Sequence, residues 1–259
     1  MADHTAQRRV RERLAHYGIS DRRGRAARPG GAARQSGGPA CGRDPYFELR
    51  FHAPGNRFTL GVMQPDLQDR FPLRRTRVHE VCGSGAFAFA AAAAAQDRGD
   101  VLWVRRVWQP EMVNPVGLSA FFDPARLLIA QTRDQNEGLS VTEEALADGA
   151  VALVIVETDR PLDLRQGRRL QLAAKAGKST GLCLIPEGMG SNAAETRWRC
   201  VPVFDAAAPS SDSTLMRWEL IKNKSGTLGA WHVRWDTASR RLGMVSPVGE
   251  RPGSAGAPG

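Results

Sequence analysis

The run Ala150–Val156 (AVALVIV) constrains the fold more than any other stretch of the chain. Every residue in it is apolar, and its valines and isoleucine are β-branched, which favours strand. A strand with two dry faces must be covered on both sides, as in a parallel sheet flanked by helices. The neighbouring sequence agrees. Val78–Cys82, Asp100–Arg105, Arg126–Ala130 (introduced by Asp123-Pro124) and Gly181–Ile185 read as further buried strands. Between them, Ala86–Asp97 reads as a helix because alanine has the best helix propensity. Val141–Asp148 reads as a helix stopped by Gly149, and Leu164–Ala176 as an amphipathic helix with Leu170, Ala173 and Ala174 on one stripe. The expected class is α/β, a mostly parallel sheet with helices on both faces. After Glu195 the rhythm changes. Thr196–Phe204, Leu215–Asn223 and Ala230–Asp236 read as strands, the last two joined by a turn at Lys224-Ser225-Gly226-Thr227, and Arg241–Val245 ends the set. These predict an antiparallel C-terminal edge.

The 259 residues therefore divide into a core and two tails. Residues 1–45 hold ten arginines against four acids, +6 of a net +9, and almost no large apolar groups. Such a segment cannot repay its ordering entropy, so it reads as a basic disordered tail. Two readings of it stand. Arg8, Arg9, Arg11, Arg13, Arg22, Arg23 and Arg25 could release phosphate counterions in a loose nucleic-acid contact, or the tail is simply solvated. Residues 46–75 form a poorly defined arm, 76–245 the core domain, and 246–259 a second low-complexity tail. No apolar run reaches the ~20 residues of a membrane span, and the N-terminus lacks the apolar stretch of a secretory signal. The expected compartment is the cytoplasm, at the nucleoid if the tail engages DNA. Cys41, Cys82, Cys183 and Cys200 form no C-x-x-C pair and read as buried reduced thiols; no metal site is expected.

The turn Gly83-Ser84-Gly85 follows the first strand and opens the first helix, which is where backbone amides and a helix N-terminus cradle phosphate. The phosphate loop, however, needs G-x-x-x-x-G-K-[ST]. Counted from Gly83, the second glycine falls at Ala88 and the lysine at Phe89, so the turn is too short and lacks the cation. Gly177-Lys178-Ser179-Thr180 contains the letters of that motif but follows a helix and precedes a strand, the reverse of the required order. It reads as a helix C-terminal turn with glycine at the cap. Glu157 ends the central strand where catalytic carboxylates often sit; without a phosphate cradle it reads as a cap or salt-bridge residue. Trp198, Trp218, Trp231 and Trp235 alternate with Arg197, Arg199, Arg217 and Arg234. One reading is an Arg–Trp binding surface. The favoured one is inward tryptophans with outward arginines, which the strand period of two gives directly.

Several segments resemble the ImuA family, RecA-like accessory proteins of bacterial error-prone repair cassettes. They are VHEV at 78–81, DPARLLI at 123–129, RRLQLAAKAGKSTGLCL at 168–184, AAETRWRC at 193–200 and LIKNKSG…WHVRWD at 220–236. The resemblance covers roughly residues 70–245, and the 46–75 region fits it poorly. It implies a RecA-like core with an impaired or absent nucleotide site and a role in SOS-induced translesion synthesis. The implied partners are RecA and the inactive Y-family polymerase homologue ImuB, with an error-prone polymerase reached indirectly. Lys222-Asn223-Lys224 looks like the K-N-K motif of RecA, whose lysines reach a neighbouring subunit's ATP. The resemblance implies docking against a RecA protomer's bound ATP; the plain alternative is two solvated lysines at a hairpin turn. The expectation is a non-enzymatic adaptor with no catalytic residue, cofactor or metal. The alternatives are an atypical ATPase acting on nucleic acid and a DNA-binding module driven by the arginine-rich tail.

Overall fold

The computed structural model describes residues 66–109, 113–205 and 214–245. The two tails, most of the 46–75 arm and the tail arginines Arg8, Arg9, Arg11, Arg13, Arg22, Arg23 and Arg25 lie outside the described residues. In chain order the elements are β1 (Val78–Cys82), α1 (Ala86–Ala95), β2 (Val101–Arg106), the short α2 (Pro115–Ser119), β3 (Leu127–Thr132), α3 (Gln135–Asp148), β4 (Leu153–Glu157), α4 (Leu164–Gly177), β5 (Thr180–Leu184), β6 (Thr196–Pro202), β7 (Leu215–Asn223), β8 (Gly229–Asp236) and β9 (Arg241–Val245). The described strands form one sheet in the order β3-β2-β4-β5-β1-β6-β7-β8-β9. Pairing is parallel from β3 through β6 and antiparallel from β6 to β9. Both halves of the expected architecture are present.

Each face of the sheet has its own core. On one, α1 packs with Trp103, Ile155, Leu182, Trp198 and Trp218. The helix is buried almost all round, and its alanines let it lie close to the strands. On the other face, α3 and α4 cover Leu102, Val104, Val154 and Val156. The α1 face also takes in Leu67, Phe71 and Leu73, so the packed core starts ahead of the residue-76 boundary expected from the sequence. Phe71 and Phe89 meet Trp218 with ring centroids 5.0 and 4.6 Å apart. Burying one such side chain is worth about 1.5–3 kcal/mol, so this wedge ties the N-terminal lead-in to the antiparallel half.

Several element ends differ from the sequence reading. Helix α3 begins at Gln135 rather than Val141, because Asp134 caps it by accepting from the Glu137 amide. Gln135 also folds back to accept from the Asp159 and Arg160 amides. Strand β4 begins at Leu153, strand β6 stops at Pro202, and α1 ends at Ala95. Helix α2 had no counterpart in the sequence reading; Asn114 caps it and Pro115 opens it. Helix α4 has a full capping box, Asp163 with Gln166. Its terminal turn is capped by Lys178 in the left-handed conformation (φ 55°), one residue beyond the glycine expected there. No helix of the described residues is long and apolar enough to cross a membrane.

Candidate functional site

The carboxyl end of β1 leads straight into Gly83-Ser84-Gly85 and α1. Gly83 has φ 92° and lies flat against β6, where a Cβ would overlap the Cys200 carbonyl oxygen. The Gly85 amide donates to that same carbonyl at 2.8 Å, and the Ala86 amide donates to Gly83 O at 3.0 Å. These two amides, which could otherwise face an anion, are therefore spent within the protein. What remains of a phosphate cradle is the end of α1, where Gly85 gives no side-chain cap.

Across β5 from β1, the neighbouring strands β4 and β2 carry a buried pair at their ends. Glu157, at the end of β4, accepts from Trp103 Nε1 at 2.7 Å. Arg105 lies two residues beyond Trp103, on the same side of β2 by the strand period. It is 5% exposed, with Nε 3.6 Å from Glu157 Oε1. Glu157 thus serves as the expected salt-bridge residue, and its oxygen is engaged by an indole N–H and a guanidinium. Sequence reasoning missed Arg105. The available signal was an arginine in register with Trp103 at the end of a strand that is otherwise buried. Phe87, 43% exposed, stacks on Trp103 at 5.6 Å. Further out, Arg106 pairs with Asp159 and lies over the Trp108 ring, 4.0 Å from its centroid.

The lysine motif lies at the opposite end of the sheet. Lys222 Nζ donates to the carbonyls of Ser191 (3.1 Å), Asn192 (3.0 Å) and Ala194 (2.7 Å). Lys224 Nζ donates to Ala193 O at 2.6 Å. Asn223 shapes the hairpin turn, accepting from the Ser225 amide and donating to Thr227 O. Burial, and then the neighbouring Lys224 and Arg197 charges, hold the Lys222 pKa below that of a free lysine. The lysines are therefore clasps on the β5–β6 connection, and Lys222 is not the solvated turn residue of the plain reading. Reaching a phosphate on another subunit would first require breaking these bonds. Lys222→Ala removes this donor from the Asn192 and Ala194 carbonyls and leaves Ser191 O to Arg197, and should cost about 1.5–3 kcal/mol in urea unfolding. Lys224→Ala, at an exposed position with one such bond, should cost under about 1 kcal/mol. Equal costs would contradict this assignment.

The clasped connection sits on a buried ion pair. Glu80 (1% exposed) accepts from Arg197 Nε at 2.8 Å and from the Ser191 amide at 2.7 Å. Arg197 Nη2 donates to Ser191 O at 3.0 Å, and a Cβ on Gly190 would overlap the guanidinium. Arg197 lies opposite Glu80 in the parallel register of β1 and β6, which puts the two side chains on one face of the sheet. Arg199, Arg217 and Arg234 pair instead with acids on the outer side of the sheet. Trp198, Trp218, Trp231 and Trp235 are all buried, which supports their reading as core. Cys82, Cys183 and Cys200 are buried as well, and burial raises each thiol pKa.

The structure and the sequence both have known relatives. No family model matches the chain. The RadB recombinase crystal structure superposes with a TM-score of 0.50 at 14% identity, covering 66% of this chain and 92% of that one, and so shares the RecA-like fold. Protein ImuA from two strains of Caulobacter vibrioides is 33% identical over 202 residues, covering 66% of this chain and 81% of the relative. With that identity over most of the relative's length, the chain belongs to the ImuA family.

Proposed function

We propose that this protein is a non-enzymatic, RecA-like adaptor in SOS-induced error-prone translesion DNA synthesis. It acts through protein–protein contacts with RecA and an ImuB-type Y-family polymerase homologue, and through the latter reaches an error-prone polymerase. The observation that carries the reading is the glycine turn closed onto the Cys200 carbonyl, without lysine, together with a Glu157 already held by Trp103 and Arg105. A nucleotide hydrolase needs donors aimed at phosphate and a carboxylate free to bind Mg²⁺ or orient water. Here the turn amides donate to protein carbonyls and the carboxylate is held by Trp103 and Arg105. Family membership and the recombinase-like fold support a place in DNA repair, and the reading puts the protein in the cytoplasm, at the nucleoid if residues 1–45 engage DNA. The arginine-rich residues 1–45 add loose, salt-sensitive DNA affinity.

Two measurements on the purified full chain test this. Millimolar Mg–ATP should leave the unfolding midpoint unchanged, whereas a ligand at a hundred times its Kd would stabilise by about 2.7 kcal/mol. In biolayer interferometry, RecA should bind saturably, with and without ATP and single-stranded DNA compared. A clear ATP-dependent rise in midpoint would favour the atypical ATPase. Absence of RecA binding in every nucleotide state would remove the RecA contact.

A further inference from the structure

Helix α4 carries Arg165, Arg168, Arg169 and Lys175, with Lys178 at its cap, and no acid within its length. At 100° per residue, Arg165, Arg168, Arg169, Leu172 and Lys175 share the face opposite the buried Gly167, Leu170, Ala173 and Ala174. Arg169 pairs with Glu143 of α3 at 2.5 Å. Arg165, Arg168, Lys175 and Lys178 are exposed and have no ion-pair partner among the described residues. Like charges at i,i+3 and i,i+4 destabilise a helix, and this helix retains Arg165–Arg168 and Arg165–Arg169. In the middle of the stripe lies Leu172, 68% exposed, with Leu164, 47% exposed, two turns earlier. The core does not need these leucines, and the cations gain nothing from them.

We infer that the solvent face of α4 docks an acidic segment of a protein partner that carries apolar anchors for Leu164 and Leu172. Charge complementarity supplies the sign. The leucines and the neighbouring helix supply the class. Packed helices lie about 8–10 Å apart, so α3, with Glu143, Glu144 and Asp148, borders the stripe closely. A nucleic-acid duplex is far wider than that spacing and would bring phosphates onto these acids. A single peptide segment follows α4, about 21 Å long, without crossing α3. Phosphates also gain nothing from an exposed leucine, whereas an apolar side chain does. This inference rests on the adaptor reading and supplies one face it uses.

The test is fluorescence anisotropy with the full chain and a labelled peptide of about 16 residues, long enough to span α4 as a helix. The peptide is rich in Glu and Asp and has two leucines eight positions apart. The unaltered chain should bind it, more weakly as salt rises. Combined Arg165→Glu, Arg168→Glu, Lys175→Glu and Lys178→Glu should weaken binding about 30-fold. Leu172→Ser alone should weaken it about tenfold. The four corresponding changes to glutamine serve if charge reversal impairs folding, which circular dichroism reads. Affinity for a short DNA duplex should be unchanged by these substitutions, because that contact is assigned to residues 1–45. The proposal is overturned if the peptide binds unaltered and substituted chains alike. It is equally overturned if a peptide with serine in place of leucine binds as tightly, or if duplex DNA loses as much affinity as the peptide. The adaptor reading fails separately, when the unaltered chain captures no RecA.

Discussion

Glu80→Ala should lower the unfolding free energy by about 3–5 kcal/mol, the range for removing one partner of a buried ion pair. The carboxylate is 1% exposed and sits on β1 beneath the β5–β6 connection. Its loss leaves the Arg197 guanidinium, 19% exposed, without its counter-charge, and the Ser191 amide without an acceptor. The damage should spread, because Ser191 O also accepts from Arg197 and from Lys222. Glu80→Gln fills the same space and keeps one acceptor oxygen, enough for one of the two donors, while removing the charge, so its cost should be smaller. Urea midpoints for the two variants check the order. A cost below about 1 kcal/mol for Glu80→Ala would place the pair among weak surface bridges and refute the role given to it.

Acidification from pH 7 to pH 4.5 should destabilise the protein through His79. This side chain is fully buried, with Nδ1 2.6 Å from Thr196 Oγ1 and Nε2 2.9 Å from Arg74 O. Trp198 Nε1 donates to Thr196 Oγ1 at 3.0 Å. A neutral imidazole that donates from Nε2 and accepts at Nδ1 satisfies all three contacts. Burial lowers its pKa from 6.5 to about 4. The Arg74 carbonyl and Glu195 act against that shift, and the Arg74 and Arg77 charges reinforce it. The folded pKa lies below the unfolded one, so the stabilisation is complete above pH 6.5 and is lost as pH falls towards 4. In that window the unfolded chain binds the proton that the folded chain refuses. The total is about 3 kcal/mol at 1.36 kcal/mol per unit. Glu195 itself is buried, but its bond from Ser225 and the nearby Arg74 and Arg77 hold its pKa below the usual carboxylate value. Its contribution is therefore lost only at lower pH than most of the His79 effect. Urea midpoints at pH 7, 5.5 and 4.5 should fall for the unaltered chain. In His79→Gln the part between pH 6.5 and 4.5 should vanish; an unchanged slope would show that His79 is not the group titrating.

The two effects belong to one region. Glu80, Arg197, Lys222 and Lys224 fix residues 191–194, while His79, Thr196, Arg74, Glu195 and Ser225 fix the start of β6 and the turn beyond β7. The K-N-K lysines thus act on the stability of this protein's own connection between β5 and β6. A RecA-binding defect in a Lys222 variant must accordingly be read beside its unfolding midpoint. The face of α4 is separate in kind, because its exposed cations take no part in these bonds and can be altered at small cost to the core.

Sequence alone determined the strand–helix alternation, the antiparallel C-terminal edge and the inward tryptophans, because periods of two and 3.6 are local properties of the chain. Strands β7 and β9 fall on the expected residues, Leu215–Asn223 and Arg241–Val245. That Ala88 and Phe89 stand where a phosphate loop counted from Gly83 would carry glycine and lysine was also legible, since that loop is a contiguous motif. Only the tertiary structure decided how the polar groups are spent. The Glu80–Arg197 pair joins residues 117 apart, and Lys222 meets carbonyls 28 to 31 residues away. No local pattern encodes which distant carbonyl an ammonium will meet, or that Gly83 will lie against Cys200. Those contacts arise when the parallel sheet sets β1 beside β6, and desolvation then requires each buried charge and amide to find a partner there.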